Sequence, residues 1–309
     1  MSTVFIGTSE FAAAILDRLA ERPEHRPALV VSRPDRPRGR GRRLAAPPVA
    51  ERARALGLEL AQPESVNDEQ SVARIAAAEP RAVVVCAFGA LIKEPLLSAH
   101  ELLNVHPSLL PRWRGAAPVE RAIMAGDERT GVSIIRLTAG LDSGPVCLAG
   151  ELPIEPQDSY GSLAPRLQSL GADLLLRVLD GIAAGSAPEF VEQDEAGGVT
   201  YAEKIEAADR LLDPARPAAE LERVVRALHP HIGARAELPD GTLLGVREAA
   251  LAGEVPTAAA EPGVFVDGER LLLVCAEGAL ELTLVQPPGG RPMEAGAYLR
   301  GHGLPGGRP

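Results

Sequence analysis

Asn104 and His106 lie two residues apart in Leu103-Asn104-Val105-His106, and Asp142 is flanked by glycines in Gly140-Leu141-Asp142-Ser143-Gly144. An amide, an imidazole and a carboxylate gathered in one cleft are suited to acyl transfer onto an amine without a covalent enzyme intermediate. The Asn104 amide can donate to an oxyanion, His106 can exchange a proton, and Asp142 can orient the imidazole. Each residue taken singly has a plainer explanation. His106 reads as a hydrogen-bonded histidine at a strand end, and Asn104 and Asp142 read as turn or cap residues. The chemistry therefore depends on elements that bring all three together.

Those elements are legible. Residues two apart on a strand share a face, so Asn104 and His106 are expected to project together at the carboxyl end of Leu103–His106, where open α/β sheets build their sites. Asp142 follows a second expected strand, Gly131–Arg136. Further strands are expected at Thr3–Ile6, Ala28–Ser32, Leu58–Ala61 and Ala82–Ala87, with a helix over Phe11–Arg22 capped by Ser9. Short apolar runs alternating with helical stretches predict an α/β fold, a doubly wound parallel sheet with crossover helices. The stripe Leu163, Leu167, Leu170, Leu174 and Val178 predicts a long amphipathic helix closing this domain. After a polar, glycine-containing stretch at Gln193–Thr200, a helix at Ala218–Leu228 precedes strands at Ala234–Leu238, Leu243–Ala249, Gly263–Val266, Leu271–Ala276 and Leu280–Val285, which predict a small β-barrel. The expected division is a domain over residues 1–190, a linker over 191–207 and a second domain over 208–309. The Pro/Gly-rich tail over 301–309 is expected to fray.

Several chemistries lose their support. The strand-to-helix turn Gly7-Thr8-Ser9-Glu10 has one glycine where a dinucleotide fingerprint needs three, which argues against NAD, and no Walker sequence occurs. Cys86, Cys147 and Cys275 lie far apart in apolar surroundings and read as core thiols in a reducing compartment, so no metal is expected. The apolar stretch Ala82–Ala90 is too short to span a membrane, and the first strand starts without a leader, so a cytoplasmic protein with no membrane partner is expected. Net charge is −10, yet Arg33, Arg36, Arg38, Arg40, Arg42 and Arg43 face a single acid, Asp35, within eleven residues. On composition alone this is a solvated loop or a local anion-binding site.

Asn104–Pro118 together with Gly140–Gly144 closely resembles the active-site pattern of the formyltetrahydrofolate-dependent formyltransferase superfamily, most of all the branch that acts on methionyl initiator tRNA. The likeness extends to Gly7-Thr8, Arg33-Pro34-Asp35-Arg36-Pro37 and Thr200-Tyr201-Ala202-Glu203-Lys204-Ile205. The resemblance implies a Rossmann-like catalytic domain followed by an OB-like barrel, and 10-formyltetrahydrofolate as co-substrate with neither metal nor NAD. It also implies that Asn104, His106 and Asp142 are catalytic, and that Ser108, Leu109, Leu110 and Pro111 line the folate pocket. The arginine loop, with Arg36, Arg38, Arg40, Arg42 and Arg43, is expected to engage the acceptor stem of charged initiator tRNA through paired guanidinium–phosphate contacts. The chain is expected to work as a monomer. Residues 206–309 carry ten basic against fifteen acidic side chains, which argues against a strong RNA grip there. Sugar-nucleotide N-formylation would use the same three groups and remains an alternative, as does formyltetrahydrofolate hydrolysis, which would send water to the same carbon but is disfavoured without a visible partner domain. Intact Asn104, His106 and Asp142 argue against an RNA-binding module without catalysis. Which of His106 and Asp142 accepts the proton also stays open.

Overall fold

The computed structural model describes residues 1–38, 43–253 and 261–303. Two compact units emerge, the first from Met1–Pro118, Arg129–Leu152 and Ala164–Glu203, the second from Val119–Glu128, Pro153–Leu163 and Lys204–Pro309. The fraying tail of the sequence reading falls outside the described residues from 304 onward.

In chain order the first half carries β1 (Thr3–Gly7), α1 (Glu10–Ala20), β2 (Leu29–Val31), β3 (Arg36–Arg38), β4 (Arg43–Ala45), α2 (Pro48–Ala55), β5 (Leu60–Ala61), α3 (Glu69–Ala77), β6 (Ala82–Cys86), α4 (Leu96–Ala99), β7 (Leu102–His106), β8 (Arg114–Gly115), α5 (Pro118–Ala125), β9 (Arg129–Arg136), β10 (Val146–Pro153), α6 (Tyr160–Ala183) and β11 (Tyr201–Ala202). Seven strands form one Rossmann-like sheet in the order β10-β9-β7-β6-β1-β2-β5. β1, β6 and β7 are buried at every position, as strands covered on both faces must be, which is why β6 reads as an unbroken apolar run and β7 is apolar apart from Asn104 and His106. Ser9 caps α1, its hydroxyl accepting from the Ala12 amide at 3.2 Å, and Phe11, Ile15, Leu16 and Leu19 give that helix its buried side. Removing such a cap costs about 1 kcal/mol.

The wholly parallel sheet expected from the sequence is corrected at one edge. β7 pairs with β6 in parallel but with β9 antiparallel, so that Asn104 lies opposite Ile135 and His106 opposite Ser133. An apolar run such as Val132-Ser133-Ile134-Ile135 is buried in either direction, and periodicity carries no record of strand polarity. β10 was not anticipated, its burial alternating between half-buried and exposed. The arginine segment, expected as a loop, contains a short antiparallel pair, Arg36 opposite Ala45 and Arg38 opposite Arg43.

The second unit contains α7 (Ala218–Leu228), β12 (Ala234–Glu237), β13 (Leu243–Leu251), β14 (Gly263–Asp267), β15 (Arg270–Val274), β16 (Ala279–Gln286), β17 (Met293–Glu294) and α8 (Ala295–His302). All five strands expected here occur. They run β12-β13-β16-β15-β14 as an antiparallel sheet, with β17 added to β16. Register shifts around Glu248 bend β13 against β16, the usual way a long strand acquires curvature. Leu221, Val224, Val225 and Leu228 of α7 share a core with Leu244, Val246, Leu273, Leu282 and Val285.

Cys86 and Cys275 are buried and Cys147 is half-buried, all three as free thiols; burial pushes the Cys275 thiol up to about 11. Among the described residues no helix is long and apolar enough to cross a membrane.

Candidate active site

The shared face predicted for Asn104 and His106 is realised at the end of β7. Both side chains are buried and both meet one carboxylate, with Asn104 Nδ2 donating to Asp142 Oδ1 at 3.3 Å and His106 Nδ1 lying 3.6 Å from Asp142 Oδ2. The Gly115 amide donates to the same Oδ2 at 2.9 Å. On its other side, His106 Nε2 lies 2.8 Å from the Trp113 carbonyl oxygen. The three residues read from the sequence are therefore brought together by direct contact.

Local backbone explains how they meet. Asp142 holds φ at 44° and Trp113 at 64°, both left-handed, a region that a residue with a Cβ occupies only when its surroundings hold it there. A Cβ on Gly144 would run into the Arg136 carbonyl oxygen, so the turn after β9 can close only with glycine. Gly115, at φ 128°, brings β8 against β11, where a Cβ would sit 2.6 Å from the Ala202 carbonyl oxygen.

Four further positions were expected to line a pocket. Ser108 is fully buried and its groups are already partnered: its hydroxyl donates to the Arg112 carbonyl within the loop at 2.6 Å and its carbonyl accepts from Ser133 Oγ of β9 at 2.8 Å. Leu109, Leu110 and Pro111 are half-buried. Ser108 thus shapes the loop, while its three neighbours keep exposed surface.

The arginine segment is only partly described. Arg36 is exposed and pairs with Glu64 at 2.7 Å, and Arg43 is exposed. Arg40 and Arg42 lie outside the described residues, as does the side chain of Arg38. The segment is rooted by Gln62, whose amide donates to the Arg33 carbonyl at 2.9 Å and to Asp35 Oδ1 at 2.7 Å.

Residue reasoning missed Gln193, Thr200 and the part played by Arg114. Gln193 Nε2 donates to the carbonyls of Asp142 and Gly144, each at 2.8 Å, and its Oε1 accepts from buried Arg114. Thr200 Oγ1 accepts from the Trp113 amide at 2.8 Å. The likeness at Thr200–Ile205 was a signal for the second; a glutamine in a polar stretch offered none for the first. Among the described residues, one grouping has metal-ligand character, Glu24, His25 and Asp180, and it contains none of the residues above.

A Rossmann-like sheet that ends in an amide, an imidazole and a shared carboxylate has the groups that acyl transfer without an enzyme nucleophile would use. Residues 1–179 match the formyl transferase family and residues 204–303 its C-terminal domain. The chain belongs to the formyl transferase family. It is 41% identical over 306 residues to the methionyl-tRNA formyltransferase of Dechloromonas aromatica, covering 98% of this chain and 97% of that one. It is 42% identical to the protein of the same name from Methylococcus capsulatus, covering 100% and 99%. Solved structures share the fold at lower identity. The N-formyltransferase of Helicobacter canadensis, in complex with folinic acid and dTDP-3-aminofucose, has a TM-score of 0.62 at 14% identity, over 91% of this chain and 98% of that one. HypX from Aquifex aeolicus, in complex with tetrahydrofolic acid, has a TM-score of 0.65 at 16% identity, over 96% and 46%.

Proposed function

We propose that the chain transfers the formyl group of 10-formyltetrahydrofolate to the α-amine of methionine carried by initiator tRNA, in the cytoplasm and as a monomer. The observation that carries this reading is the convergence of Asn104 and His106 on the single carboxylate of Asp142, in a chain similar along its whole length to methionyl-tRNA formyltransferases.

An α-amino group titrates near ~8, so a modest shift presents it uncharged for attack on the formyl carbon. As the new carbon–nitrogen bond forms, the carbonyl oxygen gains charge, and the buried amide of Asn104 and the protonated imidazole of His106 are the donors for it. The proton lost by the amine passes to the His106/Asp142 pair. Collapse breaks the bond to N10 of the folate, which leaves as tetrahydrofolate after taking up a proton. The loop Ser108–Pro111 is assigned to the folate, with Leu109, Leu110 and Pro111 as its contact surface and Ser108 as its internal brace. Arg36, Arg38, Arg40, Arg42 and Arg43 are assigned to the tRNA. Residues 1–190 form the catalytic domain, 191–207 a connection that also carries part of the site, and 208–309 an OB-like domain.

The test is transfer from 10-formyltetrahydrofolate to charged initiator tRNA, run beside nucleotide-linked amino sugars and water as acceptors. Formylmethionyl-tRNA as the dominant product is expected. Formylated sugar, or free formate released faster than tRNA is formylated, overturns the assignment.

A further inference from the structure

The two left-handed residues of the site, Trp113 and Asp142, are both held by one later stretch of chain, residues 193–200. At Asp142, the Gln193 amide donates to the Asp142 and Gly144 carbonyls, each at 2.8 Å. Its Oε1 accepts from Arg114 Nε at 3.0 Å and Nη2 at 2.7 Å, and Arg114 Nη2 also donates to Glu195 Oε1 at 3.0 Å. At Trp113, Thr200 accepts the Trp113 amide on its hydroxyl and the Arg114 amide on its carbonyl, at 2.8 and 2.9 Å. The carbonyl of Trp113 in turn partners His106.

We propose that Gln193 is a positioning residue for formyl transfer: by tying the Asp142–Gly144 turn to Arg114, it sets the Asp142 carboxylate against Asn104 and His106. Both ends of its side chain are needed. Its two N–H groups go to two carbonyls of the turn, and its oxygen receives a buried guanidinium through two N–H groups. A misplacement of the carboxylate by about 1 Å is enough to reduce turnover on the order of 100-fold. The inference rests on the formyl-transfer reading of this site.

Gln193→Glu separates positioning from folding. Glutamate keeps the acceptor for Arg114, and it replaces both donors with an oxygen facing two carbonyl oxygens. Hydrogen–deuterium exchange on the full chain is expected to accelerate within residues 138–145 while β1 and β6 stay protected. In parallel, kcat with charged initiator tRNA is expected to fall on the order of 100-fold with KM for either substrate changed less than about threefold. Unchanged exchange, unchanged kcat, a raised KM at unchanged kcat, or loosening spread through the whole sheet each overturns the role. Exchange is read without substrate, so a wild-type chain that fails to formylate tRNA sinks the proposed acceptor while the turn still reports on Gln193.

Discussion

His106 Nε2 and the carbonyl oxygen of Trp113 are 2.8 Å apart, and a carbonyl can only accept, so Nε2 is the nitrogen that carries the proton in the neutral ring. Nδ1 is thereby turned toward Asp142 Oδ2, 3.6 Å away. In a ¹⁵N spectrum of the neutral imidazole, His106 is expected as the Nε2–H tautomer. A ring carrying its proton on Nδ1 instead contradicts the arrangement and removes Nδ1 as the exchangeable position.

Asn104 and Asp142 meet each other through polar groups, so their loss should be felt in chemistry more than in folding. Asn104→Ala and Asp142→Ala are each expected to lower kcat by about two orders of magnitude or more, with the thermal midpoint largely kept. Near-normal turnover in either folded variant takes that residue out of the catalytic set.

How much of this was legible follows from which contacts are local. The period-two rule put Asn104 and His106 on one face because a strand enforces it whatever surrounds it. The glycines flanking Asp142 announced a sharp turn. Gln193 could not be found this way, since its partners, Asp142 and Arg114, are far upstream and a polar stretch with glycines reads as a connector. The polarity of β9 was invisible for a related reason: Ile134 and Ile135 are buried in either direction. The five strands of the second unit were recovered because turn signals such as Pro239-Asp240-Gly241 punctuate them.

The arginine segment supplies the main physical argument for a nucleic-acid acceptor on an acidic chain. Replacing Arg38, Arg40 and Arg42 together with alanine is expected to raise KM for charged tRNA and flatten its salt dependence, because fewer phosphates are neutralised and fewer counterions released. Folate binding should hardly change. An unchanged KM with an unchanged salt slope makes the segment a bystander.

Arg121 holds Asp209 through two parallel hydrogen bonds, Nη1 to Oδ1 at 2.9 Å and Nη2 to Oδ2 at 3.0 Å, and the Glu206 amide adds a third at 2.8 Å. The Arg121 hydrogen bonds come first among the causes that hold the Asp209 carboxyl below the usual carboxylate range. A carboxyl lowered by folding adds stability that is fully present above its unfolded value and lost as pH falls through the folded one. Asp209→Asn should therefore lower the thermal midpoint by roughly 2–4 °C at neutral pH. The gap from wild type should close in acid. A gap independent of pH contradicts the ion pair as its source.

The pairing of β8 with β11 joins Gly115 to Ala202, and this has a consequence during synthesis. A ribosome translating the chain has made Asn104, His106 and Asp142 long before it reaches Gln193 and Thr200. Contacts so distant in sequence are among the last to form in folding. The nascent chain thus carries Asn104, His106 and Asp142 before the residues that hold their turns exist, and a chain terminated after α6 lacks the hydrogen bonds from Gln193 and Thr200.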